Sequence, residues 1–136
     1  MLLAGRVALI TGGASKRGLG QATARLFREH GARIVVADLD PAGAVAMAAE
    51  LGPDCLGLGC DVTKRQDCVA VAEAALKACG RIDVLVNNAG VTSPLRLLEV
   101  DEASYDKVMD TSMRGALLMT QAVAPSMIAA RSGSII

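Results

Sequence analysis

The chain has 136 residues, of which 52% are hydrophobic and 21% are charged, and these values are typical of a folded domain with its own core. Fourteen basic and fourteen acidic side chains give a formal net charge of zero, which argues against binding to nucleic acid or to an anionic membrane through charge. The mean hydropathy is +0.41, but no apolar run approaches the ~18 residues of a membrane span, and we expect neither a membrane helix nor a signal peptide.

The first half of the chain alternates short apolar runs with helically spaced ones, beginning with a predicted strand over residues 6–10. Glycines follow this strand, and apolar side chains at helical spacing then predict a helix over about residues 18–30. A second strand is predicted over residues 34–37. The next helix covers residues 42–51, and Pro41 before it suits the first helical position, where an N–H group is not needed.

The second half repeats this alternation. A strand interrupted by glycine is predicted over residues 55–60, and a helix follows over residues 63–79, with the threonine at its start as the N-cap. A short strand over residues 84–86 precedes a long helical region over roughly residues 101–130. Residues 133–136 begin a fifth strand.

Successive strand–helix units with short connections predict right-handed βαβ crossovers, which generate an open parallel sheet with helices on both faces. This three-layer, doubly wound α/β fold also explains the mean hydropathy, because strands covered on both faces are apolar throughout. We expect a single domain over residues 1–136, incomplete at its C-terminus because the sequence stops within the fifth strand, whose apolar edge would be exposed. Ligands of such sheets bind at the carboxyl ends of the strands.

The segment after the first strand, residues 11–20, reads T-G-G-A-S-K-R-G-L-G and leads into the first helix. Glycines in such a turn let backbone amides approach a pyrophosphate, and the helix N-terminus adds partial positive charge. Asp38, eighteen residues after Gly20, follows the second strand, where a carboxylate can accept both ribose hydroxyls of an adenosine. The pattern predicts a Rossmann-type dinucleotide-binding domain. A structural turn, with Asp38 as an ordinary turn residue, is the alternative.

This loop resembles the Thr-Gly-x3-Gly-x-Gly fingerprint of the short-chain dehydrogenases and reductases. The matching residues are Thr11, Gly12, Gly18 and Gly20. Gly18 lies seven residues after Thr11 rather than five, so the loop holds two extra residues, for which Lys16 and Arg17 are the natural candidates. We expect the loop to bulge at this point.

Two further motifs carry the same resemblance. Asp61–Val62 is similar to the family's adenine-binding Asp-Val, in which a carboxylate and the backbone meet the edge of the base. The sequence N-N-A-G at residues 87–90 matches the family's block after the fourth strand, where it stabilises the sheet and borders the cofactor. The resemblance therefore implies an NAD(H)-binding site. Its candidate residues are Thr11, Gly12, Ser15, Arg17, Gly18, Leu19, Gly20, Asp38, Asp61, Val62, Asn88, Ala89 and Gly90.

The resemblance also implies an oxidoreductase that transfers a hydride between the nicotinamide and an alcohol or carbonyl substrate. In the family a tyrosine acts as acid and base, a lysine lowers its pKa, a serine orients the substrate and an asparagine organises a water relay. The lone tyrosine, Tyr105, has Met109 rather than lysine four residues on, and we interpret it as a helix residue that packs its ring. The family's serine would follow residue 136. Ser112 stands at the asparagine position, where a plain helix serine is the alternative.

Two signals disagree on the cofactor. Arg17 resembles the basic residue that meets the 2′-phosphate of NADP in some relatives, whereas Asp38 would repel that phosphate and bind the ribose hydroxyls of NAD. We expect NAD rather than NADP. A nucleotide-binding module without catalysis is the alternative function, and the N-N-A-G block argues against a methyltransferase.

The remaining expectations concern metals, partners and location. The four cysteines form no Cys-x-x-Cys pair and no cluster with histidine, so we expect no metal and free thiols in a reducing cytoplasm. The resemblance implies a small alcohol or ketone as substrate. It also implies a homo-oligomer, a dimer or a tetramer, in the full-length protein.

Overall fold

The computed structural model describes residues 1–136 and contains five strands. They are β1 Val7–Thr11, β2 Arg33–Asp38, β3 Leu56–Gly59, β4 Val84–Val86 and β5 Ser134–Ile135. All pair in parallel in one sheet of order β3-β2-β1-β4-β5, with β1 between β2 and β4. The chain winds outward from β1 in both directions, and the predicted doubly wound α/β fold is confirmed.

Five α-helices connect and follow these strands. They are α1 Leu19–Glu29, α2 Pro41–Leu51, α3 Arg65–Cys79, α4 Glu102–Met109 and α5 Gly115–Ala130. A short 3-10 turn covers Leu97–Glu99, and a π-helical turn, Asp110–Arg114, joins α4 to α5. None of the helices has the length and apolar character that crossing a bilayer demands.

Two of the helix boundaries follow local rules, and one does not. Pro41 occupies the first turn of α2 as predicted, and Gly80 ends α3 in the left-handed conformation, with φ of 77°. Thr63 is not the N-cap of α3, because that position belongs to Lys64, whose side chain makes no capping bond. The Thr63 hydroxyl instead donates to the Asp61 carboxylate at 2.7 Å. This hydroxyl therefore stabilises a local turn and does not cap the helix.

The apolar residues of the sheet divide between its two faces. On β1, Val7 and Leu9 pack into a core formed with α3 and α5, whereas Ala8 and Ile10 pack into a second core formed with α1 and α2. Every residue of β1 is buried. This arrangement confirms the sheet covered on both faces, and it leaves the carboxyl ends of β1 to β4 as the place where polar groups gather.

β5 forms one edge of the sheet. Ser134 and Ile135 are in register with Val84 and Leu85 of β4. Ile135 is 43% exposed and Ile136 is 67% exposed.

Candidate cofactor site

The loops after β1 and β4 are joined by hydrogen bonds. The Asn88 side-chain amide donates to the carbonyl oxygens of Thr11 and Gly12, each at 2.9 Å. The buried Thr11 hydroxyl accepts from the Ala89 amide at 3.0 Å and lies 3.4 Å from the carbonyl oxygen of Val86, to which it donates. Thr11 and Asn88 therefore act behind the site, holding two loops together.

Two glycines of the first loop are required by this junction. Gly12 has φ of +67°, and a Cβ there would lie 2.8 Å from the Ala89 Cα atom. A Cβ on Gly20 would lie 2.5 Å from the Asn88 amide nitrogen and 2.7 Å from the Gly12 carbonyl oxygen. Close contacts within the chain itself therefore explain both glycines, independently of any ligand.

The remainder of the loop forms a turn before α1. The Gly18 amide donates to the Ser15 carbonyl oxygen at 3.0 Å, with Lys16 and Arg17 at the corners of the turn. Arg17 is exposed and forms no ion pair. Gly18 is the N-cap of α1 and offers no side chain, so the first amides of this helix remain available to an anion.

Asp38 at the end of β2 accepts two backbone hydrogen bonds. Its Oδ2 atom accepts from the Ala14 amide at 2.9 Å, and its Oδ1 atom accepts from the Asp40 amide at 3.0 Å. The carboxylate thereby braces the glycine-rich loop against the β2–α2 turn. Each carboxylate oxygen has a second lone pair, so a diol can still donate to it.

Asp61, after β3, is held in a turn of its own. Its Oδ1 atom accepts from the Thr63 amide at 3.1 Å and from the Thr63 hydroxyl at 2.7 Å, and its Oδ2 atom lies 3.3 Å from the Lys64 ammonium. The Thr63 hydrogen bonds, with a smaller effect of Lys64, hold the pKa of the Asp61 carboxyl below its ordinary value despite partial burial. Asp61 is therefore a carboxylate at neutral pH.

These strand ends surround a cavity of 180 Å³. Its lining residues are Gly12, Asp38, Leu39, Cys60, Asp61, Val62, Ala89, Gly90, Val91, Lys107 and Thr111. Gly12, Asp38, Asp61, Val62, Ala89 and Gly90 are predicted site residues. The volume is below the ~300–1,000 Å³ of a typical ligand pocket.

Other candidates lie outside this cavity. They are Ser15, Arg17, Gly18, Leu19 and Gly20, on the turn and at the start of α1. Leu19 is 80% exposed.

Sequence reasoning missed the wall of the cavity that α4 and the π-helical turn supply. Lys107 and Thr111 are four residues apart, and the Thr111 hydroxyl donates to the Lys107 carbonyl oxygen at 2.9 Å. A spacing of four was the available signal, because it places two side chains on one helical face. The signal does not say which face meets the strand ends.

The predicted catalytic position lies in the π-helical turn. Ser112 is half-buried, and its Oγ atom lies 3.4 Å from the point that a Cβ on Gly90 would occupy. Interruptions of this kind often mark functional sites. Tyr105 lies on α4 as predicted, but its side chain is 56% exposed, so the expected packing of its ring is wrong.

Comparison with known proteins gives concordant matches. The model of the short chain dehydrogenase family matches residues 6–136. Momilactone A synthase of Oryza sativa subsp. japonica is 44% identical over 137 residues, which are 98% of this chain and 49% of that protein. Galactitol 2-dehydrogenase of Agrobacterium fabrum is 41% identical over 137 residues, 100% of this chain and 53% of that protein.

A solved structure is similar over nearly the whole chain. It is the 3-ketoacyl-(acyl-carrier-protein) reductase from Brucella melitensis complexed with NADH, with a TM-score of 0.90 and 37% identity. The match covers 98% of this chain and 56% of that one. The chain thus spans about half the length of the relatives it matches.

Proposed function

This chain belongs to the short-chain dehydrogenase family, and we propose that it is the NAD(H)-binding portion of an oxidoreductase acting on an alcohol or carbonyl substrate. The observation that carries the proposal is the cavity at the carboxyl ends of the strands, which Asp38, Asp61 and the N-N-A-G block line together. We propose residues 1–136 as one dinucleotide-binding unit.

The residues present fit such a cofactor. The uncapped N-terminus of α1 and the glycine-rich turn offer backbone amides to the pyrophosphate, and the absent Cβ of Gly18 leaves room for it. Asp38 accepts from the ribose hydroxyls, and Asp61 with the Val62 amide meets the base edge. Leu39, 74% exposed, is an apolar side chain that a bound base would cover. The cofactor itself supplies or accepts the hydride when bound.

NAD is the proposed form of the cofactor. A 2′-phosphate carries about −1.5 to −2 charges, and at ~4 Å with an effective dielectric of ~20 each unit-charge pair with Asp38 costs roughly 4 kcal/mol before relaxation. Arg17 lies at the corner of an exposed turn and does not line the cavity, so it offers a 2′-phosphate no fixed partner there. Calorimetric titration of the full-length protein with NADH and NADPH tests the assignment, and tighter binding of NADPH would contradict it.

A nucleotide-binding module without catalysis is the second candidate. Ser112 at the family's asparagine position favours it. The two functions separate when the full-length protein is incubated with NAD and a panel of secondary alcohols. Formation of NADH supports the oxidoreductase, and tight NAD binding with no turnover on any alcohol supports the module.

Substrate class, assembly and location remain proposals for the full-length protein. We propose a small alcohol or ketone as substrate, since momilactone A synthase and galactitol 2-dehydrogenase are among its relatives. Met113 and Leu117, 63% and 54% exposed where α4 passes into α5, support assembly into a homo-oligomer. The cytoplasmic location stays a prediction.

A further inference from the structure

Lys107 is the single cationic side chain in the lining of the cofactor cavity. Its ammonium takes part in no ion pair within 4.0 Å and in none of the side-chain hydrogen bonds, although Asp38 and Asp61 line the same cavity. The residue is exposed, so it lies at the rim, where a long side chain keeps its charge in water while its methylene stem covers apolar surface. Thr111, whose hydroxyl donates to the Lys107 carbonyl oxygen, lines the same cavity, so this face of the helix meets it. The ammonium is therefore uncommitted.

The chemistry of adenine suits a cavity that is lined by both a carboxylate and an ammonium. One edge of the base presents the N6 amino group, a donor, beside N7, an acceptor, and proteins read this pair with an acceptor and a donor placed together. Asp61 is ionised and can accept from N6. Lys64 already pairs with this carboxylate at 3.3 Å and does not line the cavity. Lys107 is thus the available donor for N7.

Resting on the proposed function, we propose that Lys107 is a specificity-determining residue that donates a hydrogen bond to N7 of the adenine base. It completes with Asp61 an acceptor–donor pair for the N6–N7 edge, contributed by α4 on one side and by the loop after β3 on the other. A charge-assisted hydrogen bond at a partly solvated site should make NADH affinity about fivefold to tenfold higher.

The test measures binding by calorimetry on the full-length protein, with NADH and its 7-deazaadenine analogue, in which a C–H group replaces N7. Lys107→Met keeps the methylene stem and removes the donor. In the parent protein the analogue should bind about fivefold to tenfold more weakly than NADH. Lys107→Met should lower NADH affinity by the same factor and bind both ligands equally. Lys77→Met, at an exposed site on α3 outside the cavity, should match the parent protein.

The possible outcomes separate this inference from the proposed function. No binding of NADH by the parent protein contradicts the proposed function itself. If the parent binds NADH and its analogue equally, the N7 contact is absent and the inference fails, with the proposed function intact. The inference also fails if Lys107→Met binds NADH as the parent does, or still distinguishes the two ligands. The comparison of ligands on the parent protein needs no variant, so equal binding there overturns the inference even if Lys107→Met does not fold.

Discussion

The side-chain amide of Asn88 donates to the carbonyl oxygen of Gly12 at 2.9 Å, across seventy-six positions of the sequence. The same nitrogen donates to the carbonyl oxygen of Thr11, also at 2.9 Å. One side chain thereby occupies two backbone acceptors of the loop after β1 and ties that loop to the end of β4. The junction sets the position of the glycine-rich turn relative to the rest of the site.

Asn88→Asp should destabilise the protein. A carboxylate in this position turns an acceptor toward two carbonyl oxygens and leaves both without a donor, which we expect to cost ~3 kcal/mol in the free energy of unfolding. Urea denaturation at neutral pH measures the loss. Gln121→Glu, the same chemical change at an exposed position on α5, should change the free energy of unfolding by less than ~0.5 kcal/mol. Equal stability of the two variants would show that the junction does not contribute.

Gly18→Ala and Gly20→Ala should both abolish NADH binding but should differ in stability. A Cβ on Gly20 meets the Asn88 amide and the Gly12 carbonyl group, so we expect a loss of ~1–3 kcal/mol from overpacking. A Cβ on Gly18 lies 3.1 Å from the Cβ atom and 3.3 Å from the carbonyl oxygen of Ser15, so the exposed turn needs to give only slightly and we expect the main effect at the pyrophosphate. Thermal unfolding and calorimetry separate the two effects. NADH binding by Gly20→Ala within a factor of three of the parent would refute the placement of the loop.

Asp38→Ala should change the preference between the two cofactors. Removing the carboxylate takes away two ribose contacts of NADH and the repulsion of a 2′-phosphate, so we expect the NADH/NADPH affinity ratio to fall at least tenfold. The variant also loses the bonds from Ala14 and Asp40. Asp38→Asn, which removes the charge but keeps one acceptor, controls for this loosening and should shift the ratio in the same direction. An unchanged ratio in both variants means that Asp38 is not the ribose carboxylate.

Asp83, 5% exposed, should make stability depend on pH. Burial raises the pKa of its carboxyl group, but the Val7 amide and the guanidinium groups of Arg81 and Arg6 outweigh this and hold the pKa below 3.8. A pKa depressed by folding adds stability above the unfolded value of ~4, and this stability is lost as the pH falls through the folded value.

Urea denaturation at pH 7 and at pH 3 tests this, with Asp83→Asn as the variant. We expect Asp83→Asn to lose ~2 kcal/mol at pH 7 and less at pH 3, where the carboxyl group of the unfolded parent chain is largely protonated and part of this stability is lost. Glu73→Gln, at an exposed site on α3, should show no such difference. If Asp83→Asn lowers the free energy of unfolding equally at both pH values, folding does not lower the pKa of the Asp83 carboxyl.

Much of the fold and part of the site could be predicted from local pattern. Apolar runs and helical spacing located every strand and helix, because strands covered on both faces and amphipathic helices have distinct periods. The long helical region predicted over residues 101–130 is confirmed, with a π-helical turn at Asp110–Arg114 inside it that the pattern did not reveal. Asp38 was found because it follows a buried strand at the carboxyl edge of a parallel sheet, and Asp61 through the resemblance of Asp61–Val62 to the family's motif.

The sequence by itself determined the alternation of elements, the parallel sheet and the polar residues at its carboxyl edge. Only the tertiary structure decided that Asn88 holds the loop of Gly12 in place, and that Lys107 and Thr111 form a wall of the cavity. The physical reason is one of range. Secondary structure follows from side chains a few positions apart, whereas these contacts join parts of the chain that are distant in sequence.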